Sequence, residues 1–105
     1  MKIYISGKIT GYELSEAEAK FKKSANYLLK KGLIPINPFD LSSGSTFKTF
    51  VGSKTWKDYM IDDINALFDC DAIFMQQDWG QSKGARIEYA IARELGLQIY
   101  HEGSF

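Results

Sequence analysis

Histidine and cysteine are almost missing from this chain: His101 and Cys70 are the only ones among 105 residues. A lone cysteine forms no intramolecular disulfide and builds no cysteine-based metal cluster. One histidine, close to the C-terminal end, leaves no serine–histidine or cysteine–histidine machinery. No metal and no cofactor are therefore expected. An excess of one charge is lacking too, because 13 basic and 13 acidic residues cancel. That argues against a nucleic-acid polymer held by bulk charge, while leaving room for a local basic pocket. No apolar run approaches transmembrane length, and Met1-Lys2 leads straight into a strand-like segment instead of a signal peptide. A cytoplasmic protein with no membrane partner is the expectation.

What is present is ordinary globular material. Hydrophobic residues make up 45% and charged residues 25%, enough for one core and one domain spanning 1–105. Lys-Ile-Tyr-Ile-Ser at 2–6 reads as a first strand. A helix follows, with Leu14, Ala17, Phe21, Ala25 and Leu28 on one face; Ser15 and Glu18 have capping-box spacing at its start, and Gly32 closes it. Residues 33–36 read as a second strand, which Pro35 assigns to an edge or a strand end. From 37 to 55 the periodicity fails, and so long an irregular stretch is expected to act as a lid or a binding loop. A helix over about 57–68, a buried strand over 71–75, a helix carrying Ile87, Ile91 and Leu95, and a last strand over 97–100 complete the chain. This alternation predicts an α/β fold: a three-layer α/β/α sandwich, flavodoxin- or Rossmann-like, around a mostly parallel sheet of four to five strands.

Three places converge on the carboxyl edge of such a sheet, where ligands bind in open α/β folds. Gly7, Lys8, Thr10 and Gly11 form a polar turn after the first strand. Ser82, Gly84 and Glu88 belong to the turn and helix start that follow the 71–75 strand and Trp79. Asp62 and Asp63 ride on the preceding helix. Backbone N–H groups in the glycine turns, helped by Ser82, Lys8 and Thr10, suit an anionic group such as a phosphate. Neither turn has the spacing of the P-loop or the dinucleotide fingerprint. Glu88 lies about one turn into its helix, where the dipole favours an ionised carboxylate, so it is a candidate nucleophile or base. It also reads as a solvated carboxylate paired with Arg86 or Lys83. Tyr4 reads as a core residue whose hydroxyl needs a partner at the ligand end of the sheet. Trp79 reads as a base-stacking ring or as packing, Trp56 as helix packing, and Asp62 and Asp63 as ordinary helix charges.

Four blocks of sequence then occur in order. They are Tyr4-Ile5-Ser6-Gly7-Lys8-Ile9-Thr10-Gly11; Asp63-Ile64-Asn65-Ala66-Leu67 with Cys70-Asp71; Ser82-Lys83-Gly84-Ala85-Arg86-Ile87-Glu88; and Ala92 through Gly96 into the last strand. Together they resemble the nucleoside 2-deoxyribosyltransferase-like superfamily, especially its small DUF4406-type branch. The matches reach from residue 2 to 100 and leave 37–55 unmatched. The resemblance implies that Glu88 attacks C1′ of a deoxyribosyl group to form a glycosyl-enzyme intermediate. It implies that Tyr4 holds Glu88 in line and that Asp63 sits near the leaving base. Gly7 and Gly84 would let the backbone approach the sugar or phosphate.

Two departures from the transferase pattern shape the expectation. Ser82 stands six residues before the nucleophile, where transferases of the superfamily carry an aspartate. It is similar there to the branch that hydrolyses deoxynucleoside 5′-monophosphates, in which the serine helps bind the phosphate, and Lys8 adds positive charge in the same direction. The chain also stops five residues past the last strand, without the longer C-terminal segment that transferases use to complete a neighbour's site. The resemblance therefore implies N-glycosidic cleavage of a nucleotide or nucleoside, hydrolysis in preference to base transfer, in a homodimer or larger homo-oligomer. A non-catalytic nucleotide-binding module or accessory protein on the same fold is the alternative. Convergence of Tyr4, Asp63 and Glu88 on one cavity separates the two, and a surface pair between Glu88 and Arg86 would sink the enzyme reading.

Overall fold

The structure is a computed structural model that describes residues 1–41 and 55–105. Most of the expected 37–55 loop, from 42 to 54, lies outside the described residues. Strand β1 (Lys2–Ser6) leads to helix α1 (Leu14–Lys30) and the short strand β2 (Ile34–Ile36). Helix α2 (Trp56–Phe68), strand β3 (Ala72–Met75), helix α3 (Lys83–Leu95) and strand β4 (Gln98–His101) follow. Among the described residues the sheet has four strands, all parallel, in the order β2-β1-β3-β4. Pro35 falls on β2, an edge strand, where a missing N–H costs least. Of the expected irregular stretch, Pro38–Asp40 forms a single 3-10 turn in which the Phe39 N–H donates to the Asn37 side chain at 3.0 Å.

The sheet is buried on both sides because its strand residues alternate between two cores. Ile3, Ile5, Ala72 and Phe74 meet Ala17, Phe21 and Leu28 of α1 on one face. Tyr4, Ile73 and Met75 meet Leu67 of α2 and Ala85 and Ala92 of α3 on the other. Three layers result, as the sequence pattern predicts. Each large side chain so buried contributes about 1.5–3 kcal/mol.

One helix start differs from the sequence reading. Helix α1 is capped at Glu13, whose N–H donates to Glu16 Oε1 at 3.4 Å, so Ser15 and Glu18 already lie inside the helix. The start moves two residues earlier because Glu13 and Glu16 form the capping box, at the same spacing that Ser15 and Glu18 offer. Thr55 caps α2 by accepting from the Asp58 N–H. Among the described residues no helix is long and apolar enough to cross a membrane.

The chain order positions the site. From β1 the connection through α1 runs outward to β2, whereas β3 and β4 lie on β1's other side. With right-handed crossovers, the reversal puts α1 on one face and α2 and α3 on the other. Between β1 and β3 the helices part, and a crevice opens beyond the strand ends at this switch point. The two segments that leave β1 and β3 there are Gly7–Gly11 and Gln76–Ser82.

Candidate active site

A cavity of about 180 Å³ lies at this switch point. Its walls come mainly from β1 and the loop after it, from α2 and from the start of α3, with Phe21 of α1 and Pro38 completing them. Helical spacing explains the α2 wall: Trp56, Tyr59, Met60 and Asp63 recur three or four residues apart and share one stripe. Ala85 and Glu88 do the same on α3. Tyr4 points from β1 into the space between these helices. All three residues that the resemblance names as catalytic, Tyr4, Asp63 and Glu88, therefore line one cavity.

Glu88 is 4% exposed and is held by two neutral hydroxyls. Tyr4 donates to Oε2 at 2.8 Å and Ser6 donates to Oε1 at 2.6 Å. Arg86, the surface partner considered for Glu88, instead donates to the Gly80 carbonyl at 2.9 Å. The Lys83 ammonium lies over the Trp56 ring, 5.0 Å from its centroid. The helix dipole was expected to keep Glu88 readily ionised, but burial outweighs it and pushes the carboxyl up to about 7; the Ser6 and Tyr4 hydrogen bonds offset part of that rise. The Tyr4 phenol is raised well above its ordinary value, first by burial and then by the charges of Glu88 and Asp63. It is therefore a reliable donor over the whole accessible pH range. Asp63 is 8% exposed, while Asp62 is turned a third of a turn away and only half-buried.

The remaining sequence-derived residues divide between wall and support. Gly7, Thr10, Ser82 and Gly84 line the cavity. Ser82 is also the N-cap of α3, accepting from the Ala85 N–H at 3.1 Å. Gly84 lets α2 close in, since a Cβ there would stand 3.0 Å from Met60 Sδ. Lys8, Gly11 and Trp79 are not among the lining residues. The Lys8 ammonium sits 5.6 Å over the Tyr12 ring and 3.5 Å from Gln81 Oε1, drawn aside by the ring and the amide. Gly11 is exposed at the tip of its turn. Trp79 stacks on Tyr89 of α3 with centroids 4.6 Å apart, so its ring face is already occupied by the helix. Trp56, read from sequence as helix packing, is instead part of the cavity wall.

Three residues carry parts of this site without having been singled out by sequence. Ser6 is two positions from Tyr4 on the same strand, and a period of two puts both hydroxyls on one face; that spacing was the available signal. Gln76 is fully buried behind Gly7, its amide donating to Ser24 Oγ at 2.9 Å. Asp78 ties the two loops together. It accepts from the Lys8 N–H at 3.1 Å, from the Tyr12 hydroxyl at 2.7 Å and from the Lys20 ammonium at 2.7 Å. Burial alone would raise its carboxyl, but Lys20, the Lys8 N–H and Tyr12 together hold it below the ordinary range.

Asp78→Asn is expected to cost about 1–2 kcal/mol at pH 7, because it removes a charge-assisted acceptor shared by three donors. A carboxyl lowered by folding stabilises above its unfolded value of about 3.9, and that contribution fades as pH falls through the folded value. Urea midpoints should therefore differ between wild type and variant from pH 7 down to about pH 4, and close only as pH falls further, through the lowered folded value. Equal midpoints at pH 7 would count against the tie.

No curated protein matches the chain in sequence. Its fold is that of a solved structure, a 2-desoxiribosyltransferase from Leishmania mexicana, at 19% identity and a TM-score of 0.68. The likeness covers 95% of this chain and 62% of that one, so the chain spans less than two thirds of its length. A family profile described as a domain of unknown function (DUF4406) matches residues 1–101. That span takes in the four strands and three helices of the described residues and every residue lining the cavity, and the chain belongs to the DUF4406 family.

Proposed function

We propose that the protein cleaves the N-glycosidic bond of a 2′-deoxynucleoside 5′-monophosphate or nucleoside, with Glu88 as nucleophile and water as final acceptor. The observation that carries this reading is the Glu88 carboxylate itself: buried at a cavity wall and held by Tyr4 and Ser6 through both oxygens. A structural carboxylate on an amphipathic helix has no reason to face an apolar cavity with hydroxyls as its hydrogen-bond donors. The deoxyribosyltransferase fold adds support, because it sets a precedent for nucleoside chemistry on this scaffold.

In the first step a Glu88 oxygen forms a bond to C1′ as the C1′–N bond breaks. The bonding pair leaves with the base nitrogen, and Asp63, on the neighbouring wall, assists protonation or positioning of the base. Tyr4 keeps the carboxylate in line throughout. In the second step water attacks C1′ of the glycosyl ester as the C1′–O bond to Glu88 breaks; the water's proton passes to solvent, and the sugar and the Glu88 carboxylate are released. Apolar walls from α2 suit a base. Ser82 and the first turn of α3, with their outward N–H groups and positive dipole end, suit a 5′-phosphate. Having accepted from Ala85, the Ser82 hydroxyl still has its own proton to donate.

The test is base release from a panel of deoxynucleosides and their 5′-monophosphates over a pH series. Release is expected from the monophosphates in preference to the nucleosides, and kcat/KM should rise with pH with a midpoint near 7, since only ionised Glu88 attacks. Release by none of the panel would overturn the proposal. If a nucleotide then still raises the melting temperature, a non-catalytic nucleotide-binding module is the better description.

A further inference from the structure

We infer that Ser6 is a positioning residue for Glu88, one that fixes the plane of the carboxylate and so the direction from which it attacks. This rests on the nucleophilic role proposed for Glu88. Tyr4 and Ser6 project from the same face of β1, and each hydroxyl reaches a different oxygen of the one carboxylate, at 2.8 and 2.6 Å. A single hydrogen bond would leave the carboxylate free to turn about Cγ–Cδ, a torsion with broad, shallow wells. Two donors on one rigid strand remove that freedom. The strand is rigid at this point: Ser6 pairs with Met75 in the β1–β3 ladder, and its carbonyl accepts from the Gln76 N–H at 2.9 Å.

Ser6 acts through Glu88 and not on a ligand. It is 1% exposed and, unlike Tyr4, is not among the residues lining the cavity. Its donated hydrogen bond also favours the ionised carboxylate against the opposing effect of burial. The titratable groups that share the cavity wall with Glu88 are Tyr4 of β1 and Tyr59 and Asp63 of α2. All three remain in place when the Ser6 hydroxyl is removed, so a change on its removal reports Ser6 itself.

The experiment compares Ser6→Ala and Ser6→Thr with the wild-type full chain. Ser6→Ala deletes one buried oxygen and adds no volume, so the fold is retained, and Ser6→Thr keeps a hydroxyl. The first readout is the pH titration of δ-carbon-13 glutamate signals by NMR, with the Glu88 signal identified by its loss in Glu88→Gln. The wild-type midpoint is expected near 7, that of Ser6→Ala about one unit higher, and that of Ser6→Thr close to wild type. The second readout is the kinetics of base release from a deoxynucleoside 5′-monophosphate. Ser6→Ala should lower kcat about tenfold and leave KM within about twofold, since a misdirected nucleophile slows chemistry without loosening the substrate. A Glu88 midpoint unchanged in Ser6→Ala would overturn the inference, as would a raised KM with kcat intact. Should the wild type release no base, the hydrolase reading falls alone, and the NMR midpoint still decides whether Ser6 governs Glu88.

Discussion

Glu88→Gln is expected to lower base release by about 10⁴-fold or more while making the protein more stable above neutral pH. The two effects have one origin. A buried carboxylate at the wall of a cavity is available to a substrate because the fold holds it there against its preference for water. Folding raises the Glu88 carboxyl from 4.5 to about 7. Below about pH 4.5 the group is protonated in both folded and unfolded chains, and it costs nothing. Between the two values the folded chain binds a proton that the unfolded chain has released, so stability declines as pH rises. Above about 7 the whole difference applies, about 3 kcal/mol at 1.36 kcal/mol per pH unit. A neutral glutamine keeps the shape and escapes this penalty. Urea denaturation at pH 8 should then show the variant more stable than wild type by about 2–3 kcal/mol, with the gain absent at pH 4. A variant that is equally stable at both pH values would mean that Glu88 is not desolvated in the folded chain. A variant that is stabilised yet still releases base would assign the nucleophile elsewhere.

Gly7→Ala carries the second large effect. Gly7 is where the chain leaves β1, and the side chain of Gln76, leaving β3 beside it, fills the space a Cβ would need. An added Cβ would fall 2.0 Å from Gln76 Oε1, 2.8 Å from its Cδ and 2.9 Å from its Cβ. Gln76 has little freedom to retreat, being fully buried and bonded to Ser24. Among the described residues its Oε1 has no hydrogen-bond partner, so the cost lies in the packing and in the bond its amide donates to Ser24. The strand end must move, at a cost of about 2–4 kcal/mol. Gln76→Ala in the same chain removes the two end-of-chain contacts and should restore part of the loss, which a double-mutant cycle on urea midpoints will read as favourable coupling. Additive midpoints would show that the clash is relieved some other way. The loop from Gly7 to Thr10 borders the cavity, so Gly7→Ala should also reduce turnover more than its loss of stability accounts for.

The elements were largely legible in the sequence because each reports a local preference. The 2–6 run, the helix ending at Gly32 and the 71–75 run appear within a residue or two of their structural bounds. Their alternation is enough to imply a parallel sheet with helices on both faces. The start of α1 was less legible, since Glu13–Glu16 and Ser15–Glu18 offer the same capping spacing two residues apart. For the candidate site, spacing alone left Glu88 as either a nucleophile or base, or a solvated carboxylate paired with Arg86 or Lys83. It took the resemblance to group it with Tyr4 and Asp63. The part played by Asp78 was beyond both, since its three donors come from Lys8, Tyr12 and Lys20, which lie 58 to 70 positions away.

Sequence by itself determined which residues stand at the carboxyl ends of the strands, because alternation of strand and helix sets the direction of every strand. Whether a given side chain there turns inward was decided only by the tertiary structure. Asp62 and Asp63 are neighbours of identical type, yet one faces the cavity and the other does not, according to the angle at which α2 docks. Lys8 and Trp79 stand at the right edge but spend their charge and ring on Tyr12 and Tyr89. Ser6 meets Glu88 across 82 residues of sequence. The carboxyl is raised for the same reason: burial depends on what all the layers together exclude, and no local pattern of residues contains that information.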